Sequence, residues 1–178
     1  MRFQTMLSSI VVGTCITGAL GAFGQFPSLK HGDGQADGKK SLGGSGEIIR
    51  FTLSENAAQA SGIRIHGSRY GPPDAPKENF LIYFLSQDMS EIIRTEMAPY
   101  SLFERGAEQW VEVKFRRPVE VPKEFWIALD FRGGRTKGVY VSYDTSTGGK
   151  FSRIGLPGME VKETDFGGDW MVEVQLAN

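Results

Sequence analysis

Cysteine is almost missing from this 178-residue chain: the single residue, Cys15, lies in an N-terminal apolar run. Histidine is nearly as scarce, with only His31 and His66. If the N-terminal run is removed on export, no thiol remains. Disulfides and thiolate chemistry are then excluded, and the fold is held by its core alone. One histidine in the main body and no thiol also exclude a zinc site, which needs nitrogen and sulfur ligands. No Gly-x-Ser-x-Gly elbow occurs, so a Ser-His-Asp triad would have to run through His66. Neither charge is in excess, with 20 Lys+Arg against 21 Asp+Glu. That balance leaves no electrostatic footprint for nucleic acid. Arg132-Gly-Gly-Arg135 follows a strand but opens no helix, so it lacks the helix N-terminus used by phosphate sites.

What is present begins with a processing signal. Arg2 precedes an uncharged, apolar or small run from Met6 to Ala22, and Ala22-Phe23-Gly24 fits the small-x-small cleavage rule. Residues 1–24 read as a signal peptide, and the protein as secreted, periplasmic or attached to the cell envelope. A retained membrane anchor is the competing reading, although the run is short and rich in Gly and Thr for a span of ~20 residues. Val12-Gly13-Thr14 is a poor context for lipidation of Cys15. Residues 25–46 form a Gly-rich stretch; half of His31–Gly46 is Gly or Ser. So little apolar surface predicts a flexible tether. Its Asp33-Gly-x-x-Asp37-Gly sequence lacks the spacing and terminal Glu of an EF-hand loop. Residues 47–178 are long enough for one domain with one core.

That domain is written in period two. Phe125, Ile127, Leu129 and Phe131 fall on one side of an extended chain, with Trp126, Ala128 and Asp130 on the other. Val139, Val141 and Tyr143 repeat the pattern, opposite Tyr140, Ser142 and Asp144. Ile49, Phe51 and Leu53 alternate, as do Ile63 and Ile65, and Val111, Val113 and Phe115. Phe80–Leu85 is a continuous apolar run suited to a strand buried on both faces. Ser54–Ser61 holds helix-friendly Ala and Glu and predicts a single helical turn. Trp170, Val172, Val174 and Leu176 align in the last strand. Short strands at hairpin spacing without an amphipathic helix predict an all-β, antiparallel sandwich of jelly-roll type with about eight to ten strands.

The candidate ligand-binding residues lie on faces opposite the core and in the loops beside them. They are His66, Arg69 and Tyr70 at the end of one strand; Trp126, Asp130, Tyr140 and Asp144 on two others; and Arg132 and Arg135 in the basic loop between those two. Aromatic faces with carboxylates and guanidinium groups are the combination that binds sugars. No catalytic residues are assigned. Calcium is the one metal the carboxylates suit, through Asp165 and Asp169 around Phe166-Gly-Gly with Glu47 from the first strand; a hairpin turn with solvated acids is the competing reading.

Ile63-Arg-Ile-His-Gly-Ser-Arg-Tyr-Gly71, Phe125-Trp-Ile-Ala-Leu-Asp-Phe131, Gly138-Val-Tyr-Val-Ser-Tyr-Asp144 and Asp169-Trp-Met-Val-Glu-Val together resemble jelly-roll accessory domains of bacterial secreted proteins. These are of the cleaved-adhesin, choice-of-anchor and carbohydrate-binding-module kind. The resemblance implies a non-catalytic extracellular module that binds glycan or a surface protein, with any partner enzyme carried on a separate secreted chain. Two alternatives stand beside it: an accessory or weak hydrolase using His66 with Asp130 or Asp144, and a structural envelope protein without a small ligand.

Overall fold

A computed structural model describes residues 27–177. The signal segment and Cys15 lie outside the described residues. Two strands organise everything else: β3 (Glu47–Tyr70) and β6 (Gln109–Asp130), of 24 and 22 residues. A straight strand of that length would reach roughly 75–80 Å at ~3.3 Å per residue. The pair instead changes register between Thr52 and Ala57 and between Ala60 and Gly62. Such irregularities bend a ladder and increase its twist.

The bend gives each strand two halves with different neighbours. The first half of β3 lies between the second half of β6 and β8 (Ser152–Ile154), and β6 continues there to β4 (Asn79–Leu85) and β5 (Ile92–Pro99). The second half of β3 lies between the first half of β6 and β11 (Val172–Leu176), which carries β1 (Ser28–Leu29) on its far edge. The end of β3 takes up β7 (Gly138–Asp144), flanked by β2 (Gly38–Lys40) and β10 (Asp169–Trp170). β9 (Lys162–Glu163) pairs β8. Every strand pairing is antiparallel, and one 3₁₀ turn at Tyr100–Leu102 is the only helical element among the described residues. None of them forms a helix long and apolar enough to cross a membrane.

The chain is an all-β antiparallel sandwich. Both halves of the long strands feed one core, where Phe51, Phe84 and Phe125 meet Ile63, Val113 and Val174. The expected core residues Phe125, Ile127, Leu129 and Val139 are all buried there. The helical turn expected at Ser54–Ser61 is instead strand: Ala57–Ala60 pair with Val119–Pro122. Pairing along β6 outweighs the helix propensity of these few residues. Pro118 and Pro122 are tolerated within β6 because, among the described residues, it is paired on one side only as far as Phe125.

The expected tether is an ordered strap. His31 stacks on Phe151 at 3.8 Å and on Phe51 at 5.2 Å, and its Nε2 donates to the Arg50 carbonyl at 2.6 Å. The Asp33 and Gly34 amides donate to one Asp144 carboxylate oxygen at 2.8 and 3.0 Å. In return the Thr145 amide and hydroxyl donate to Asp37 at 2.7 and 2.6 Å. Gly32 has φ +76°, and a Cβ there would sit 2.1 Å from the Asp144 carboxylate, so only glycine fits. Composition suggested disorder because the strap has little apolar surface of its own; its partners Asp144, Thr145 and Phe151 are more than a hundred residues away.

Hydrogen bonds from Thr145 hold the Asp37 carboxyl below its ordinary pKa. Burial alone would raise that of Asp144, but donors from Ser146, Gly34 and Asp33 outweigh it and hold it low as well. Both carboxyls therefore support the clasp above the ordinary carboxylate range, and that support is lost as pH falls through their depressed values. Asp144→Ala is expected to speed amide exchange across residues 31–40 while β3 and β6 stay protected, with a local cost of about 1–3 kcal/mol. Wild-type protein should show the same loosening in acid below the ordinary carboxylate range. Unchanged exchange in the variant would mean that the strap is held by other contacts.

Candidate functional site

Outward side chains alternate along the second half of β3: Arg64, His66, Ser68 and Tyr70, each between inward neighbours. Residues opposite one another in an antiparallel pair share a face. Arg64 lies opposite Glu112 and Glu173, His66 opposite Trp110, Ser68 opposite Tyr140, and Ser142 opposite Lys39. The register thus places Trp110, His66, Tyr140 and Tyr70 on one outer face, all half-buried.

The face is tied together by its own contacts. His66 meets Trp110 edge-on at 5.2 Å, and Tyr70 lies against Tyr140 at 4.8 Å. The Arg64 guanidinium sits 4.8 Å above Trp110 and donates to Glu173 at 2.8 Å. Lys39 lies 5.2 Å from the Tyr140 ring and pairs with Glu108, which also accepts from Ser68 at 2.9 Å. Tyr70 Oη donates to the Gly134 carbonyl at 2.7 Å, fastening the loop that bears Arg132 and Arg135 to this end of the face. Its ring lies over Gly138, where a Cβ would come within 2.3 Å of the hydroxyl.

His66 Nδ1 lies 2.8 Å from Ser142 Oγ. Burial pushes the ring below its ordinary pKa; Glu108 opposes this and Arg64 reinforces it. A neutral imidazole beside a serine is half of a hydrolytic arrangement, but Ser142 is 1% exposed, which leaves its oxygen no approach for a substrate. Asp130 and Asp144, the acids expected to serve His66, are committed elsewhere: Asp130 accepts from the Arg132 amide at 2.8 Å, and Asp144 is clasped by the strap.

Several expected site residues are drawn off into the structure. Arg69 is buried and donates to the carbonyls of Phe103, Pro72 and Pro73 at 3.1, 2.7 and 2.5 Å, which fixes a loop. Trp126 is 6% exposed in a second apolar cluster with Ile48, Leu85 and Ala128; its Nε1 donates to the Gln87 carbonyl at 2.9 Å, and Arg50 lies 5.6 Å above its ring. Asp144 is 1% exposed. Arg132 and Arg135 are exposed, Arg132 in the left-handed region at φ 45°. Of the nine expected binding residues, His66, Tyr70 and Tyr140 share the face; Arg132 and Arg135 border it. Trp110, Arg64, Ser68, Glu108 and Lys39 complete it. Trp110 was detectable by its phase, since it alternates with inward Val111 and Val113.

The three acids expected to bind calcium are not brought together. Asp165 pairs with Lys40 at 2.5 Å. Asp169 accepts from the Phe151 amide at 2.8 Å and from Thr147. Glu47 is sealed at the edge of the core, 2% exposed. No group of three potential ligand side chains occurs among the described residues. An apolar cleft of about 290 Å³ lies apart from the face, lined by Ile48, Leu85, Met89, Leu156, Met159 and Val161. Its one carboxylate, Asp88, is occupied by Ser86 and Ser90. No protein-family model matches the chain, and no curated protein matches it.

Two consequences follow for variants. Trp126→Ala opens a cavity rather than removing a sugar platform, so a loss of roughly 3–5 kcal/mol in denaturant titration is expected. Glu47 is held at a pKa of about 8, first by burial, opposed by the Glu47 and Leu42 amides and reinforced by Asp130. One of its carboxyl oxygens has no hydrogen-bond partner among the described residues. A raised acid binds its proton more tightly folded than unfolded. Its contribution is fully present below the unfolded value of 4.5 and is lost as pH rises through about 8. Glu47→Gln should therefore flatten the decline in stability between those limits and exceed wild type at pH 9 by a few kcal/mol, on the order set by ~1.4 kcal/mol per pKa unit. Parallel curves for the two proteins would mean that Glu47 ionises without cost.

Proposed function

We propose that this protein is an exported, non-catalytic module that recognises carbohydrate, or another cell-surface component of similar chemistry, through the outer face of β3, β6 and β7. The observation that carries this reading is the set of four rings, Trp110, His66, Tyr140 and Tyr70, presented on one sheet face among Arg64, Lys39, Glu108 and Glu173. Ring faces suit the C–H surface of a sugar, and charged donors and acceptors suit its hydroxyls. The ion pairs keep the face nearly neutral, which favours a polar, uncharged ligand over a polyanion. Export is supported by the N-terminal signal pattern. The ligand would be a glycan or glycosylated surface protein, and any enzyme it serves would be a separate secreted chain.

A second reading, a structural envelope protein without a small ligand, is supported by a different feature: the free β5 edge with exposed Ile92 and Met97. Glycan-array binding, with and without calcium, separates the two. Binding is expected without calcium, with Trp110→Ala and Tyr140→Ala each weakening it about tenfold, as loss of one ring contact of about 1–1.5 kcal/mol predicts. Their melting transitions should stay cooperative. Absence of binding in either condition would sink the recognition reading.

A further inference from the structure

Among the described residues, two long strand edges are unpaired, and they are treated differently. Among the described residues, β6 up to Phe125 has a partner only in β3. Its free edge carries Pro118 and Pro122, with Lys114, Arg116, Arg117 and Lys123 interspersed with Glu112, Glu120 and Glu124. Proline blocks strand addition, and closely spaced charged side chains discourage it. Among the described residues, the eight-residue strand β5 has a partner only in β4. It has no proline before Pro99 and no lysine, and it exposes two large apolar side chains, Ile92 at 47% and Met97 at 65%. An open edge of this length is a template for another strand.

The order of residues on β5 selects a second copy of the same chain. In an antiparallel pair, opposite residues have the same hydrogen-bonding sense and the same face. A strand pairing with its own copy must therefore turn about a residue, not about a peptide bond. Turning about Arg94 or Glu96 places like charges opposite one another. Turning about Ile93 or Met97 leaves both charges without a partner of opposite sign. Turning about Thr95 sets Arg94 against Glu96 of the second copy twice, and Ile93 against Met97 twice. Arg94 and Glu96 already share a face, since they form an ion pair at 2.9 Å within one chain. They lie opposite Phe84 and Ile82 of β4, on the side of the core. Near Ile92 the ladder with β4 shifts register between Phe84 and Leu85, which limits the paired segment to Ile93–Met97.

We propose that β5 is a homotypic docking edge, on which two copies of this chain pair antiparallel about Thr95. The surface is distinct from the ring-bearing face, so the two readings stand or fall separately. Two five-residue segments form a small interface, and association is expected in the range of roughly 10 μM to 1 mM.

Sedimentation velocity of the full chain over that range tests it. Wild type is expected to show a reversible monomer–dimer equilibrium. Arg94→Glu sets Glu against Glu96 and should weaken it at least about tenfold. Arg94→Glu combined with Glu96→Arg restores the complementarity and should recover the dimer, while Thr95→Pro should abolish it. Arg94 and Thr95 are exposed, so each variant is expected to fold, checked by its melting transition. A monomer throughout, a dimer indifferent to Arg94→Glu and Thr95→Pro, or a double variant that stays monomeric would each overturn the proposal. So would capture of an unrelated strand peptide by β5 without self-association.

Discussion

The ladder between β3 and β6 is the constraint on which the rest depends. These two strands belong to both layers, so the layers are joined by continuous backbone hydrogen bonding as well as by side-chain packing. The register shifts at Thr52/Ala57 and Ala60/Gly62 are therefore the corners of the molecule. They bring Phe51 and Phe125 from one half against the residues around Ile63 and Val113 from the other. A chain without disulfides gains from this arrangement, because neither layer can slide without breaking the same ladder.

Closure of the sandwich is uneven. One side is sealed by the strap of residues 27–46, through the His31 stack and the reciprocal carboxylates Asp37 and Asp144. The side between β5 and β6 has no such cover among the described residues and is lined by Ile93, Arg94, Arg117 and Glu120. Of the two edges on that side, β6 carries Pro118 and Pro122 among closely spaced charges, and β5 has no proline before Pro99.

Buried ionisable groups set opposing pH limits on this core. Glu47 favours the protonated state, so it weighs against the fold as pH rises. Burial pushes His31 and His66 below their ordinary values, so they weigh against it as pH falls below the unfolded imidazole value. The protein is therefore best matched to a window between acid and mildly alkaline conditions. The acids at the clasp add a further loss only in strong acid.

Much of the fold was legible in local alternation, because the side-chain period of a strand is a property of a few consecutive residues. Phe125, Ile127 and Leu129, or Ile63 and Ile65, declare their buried face without reference to anything distant. The same alternation put His66, Tyr70 and Tyr140 outside, and contained the signal for Trp110. Period two says nothing about what covers the opposite face. Trp126 and Ala128 are buried because Leu85, Met89 and Val161 pack over them, and Asp144 because a Gly-rich strap turns its amides toward it. The strap itself looked like a tether because its hydrogen-bond partners are remote in sequence. The sequence by itself determined the antiparallel β class and the inward residues, since these follow from residue type and local spacing. Which outward side chains meet one another, and which strand edge stays open, was decided only by the register between distant strands.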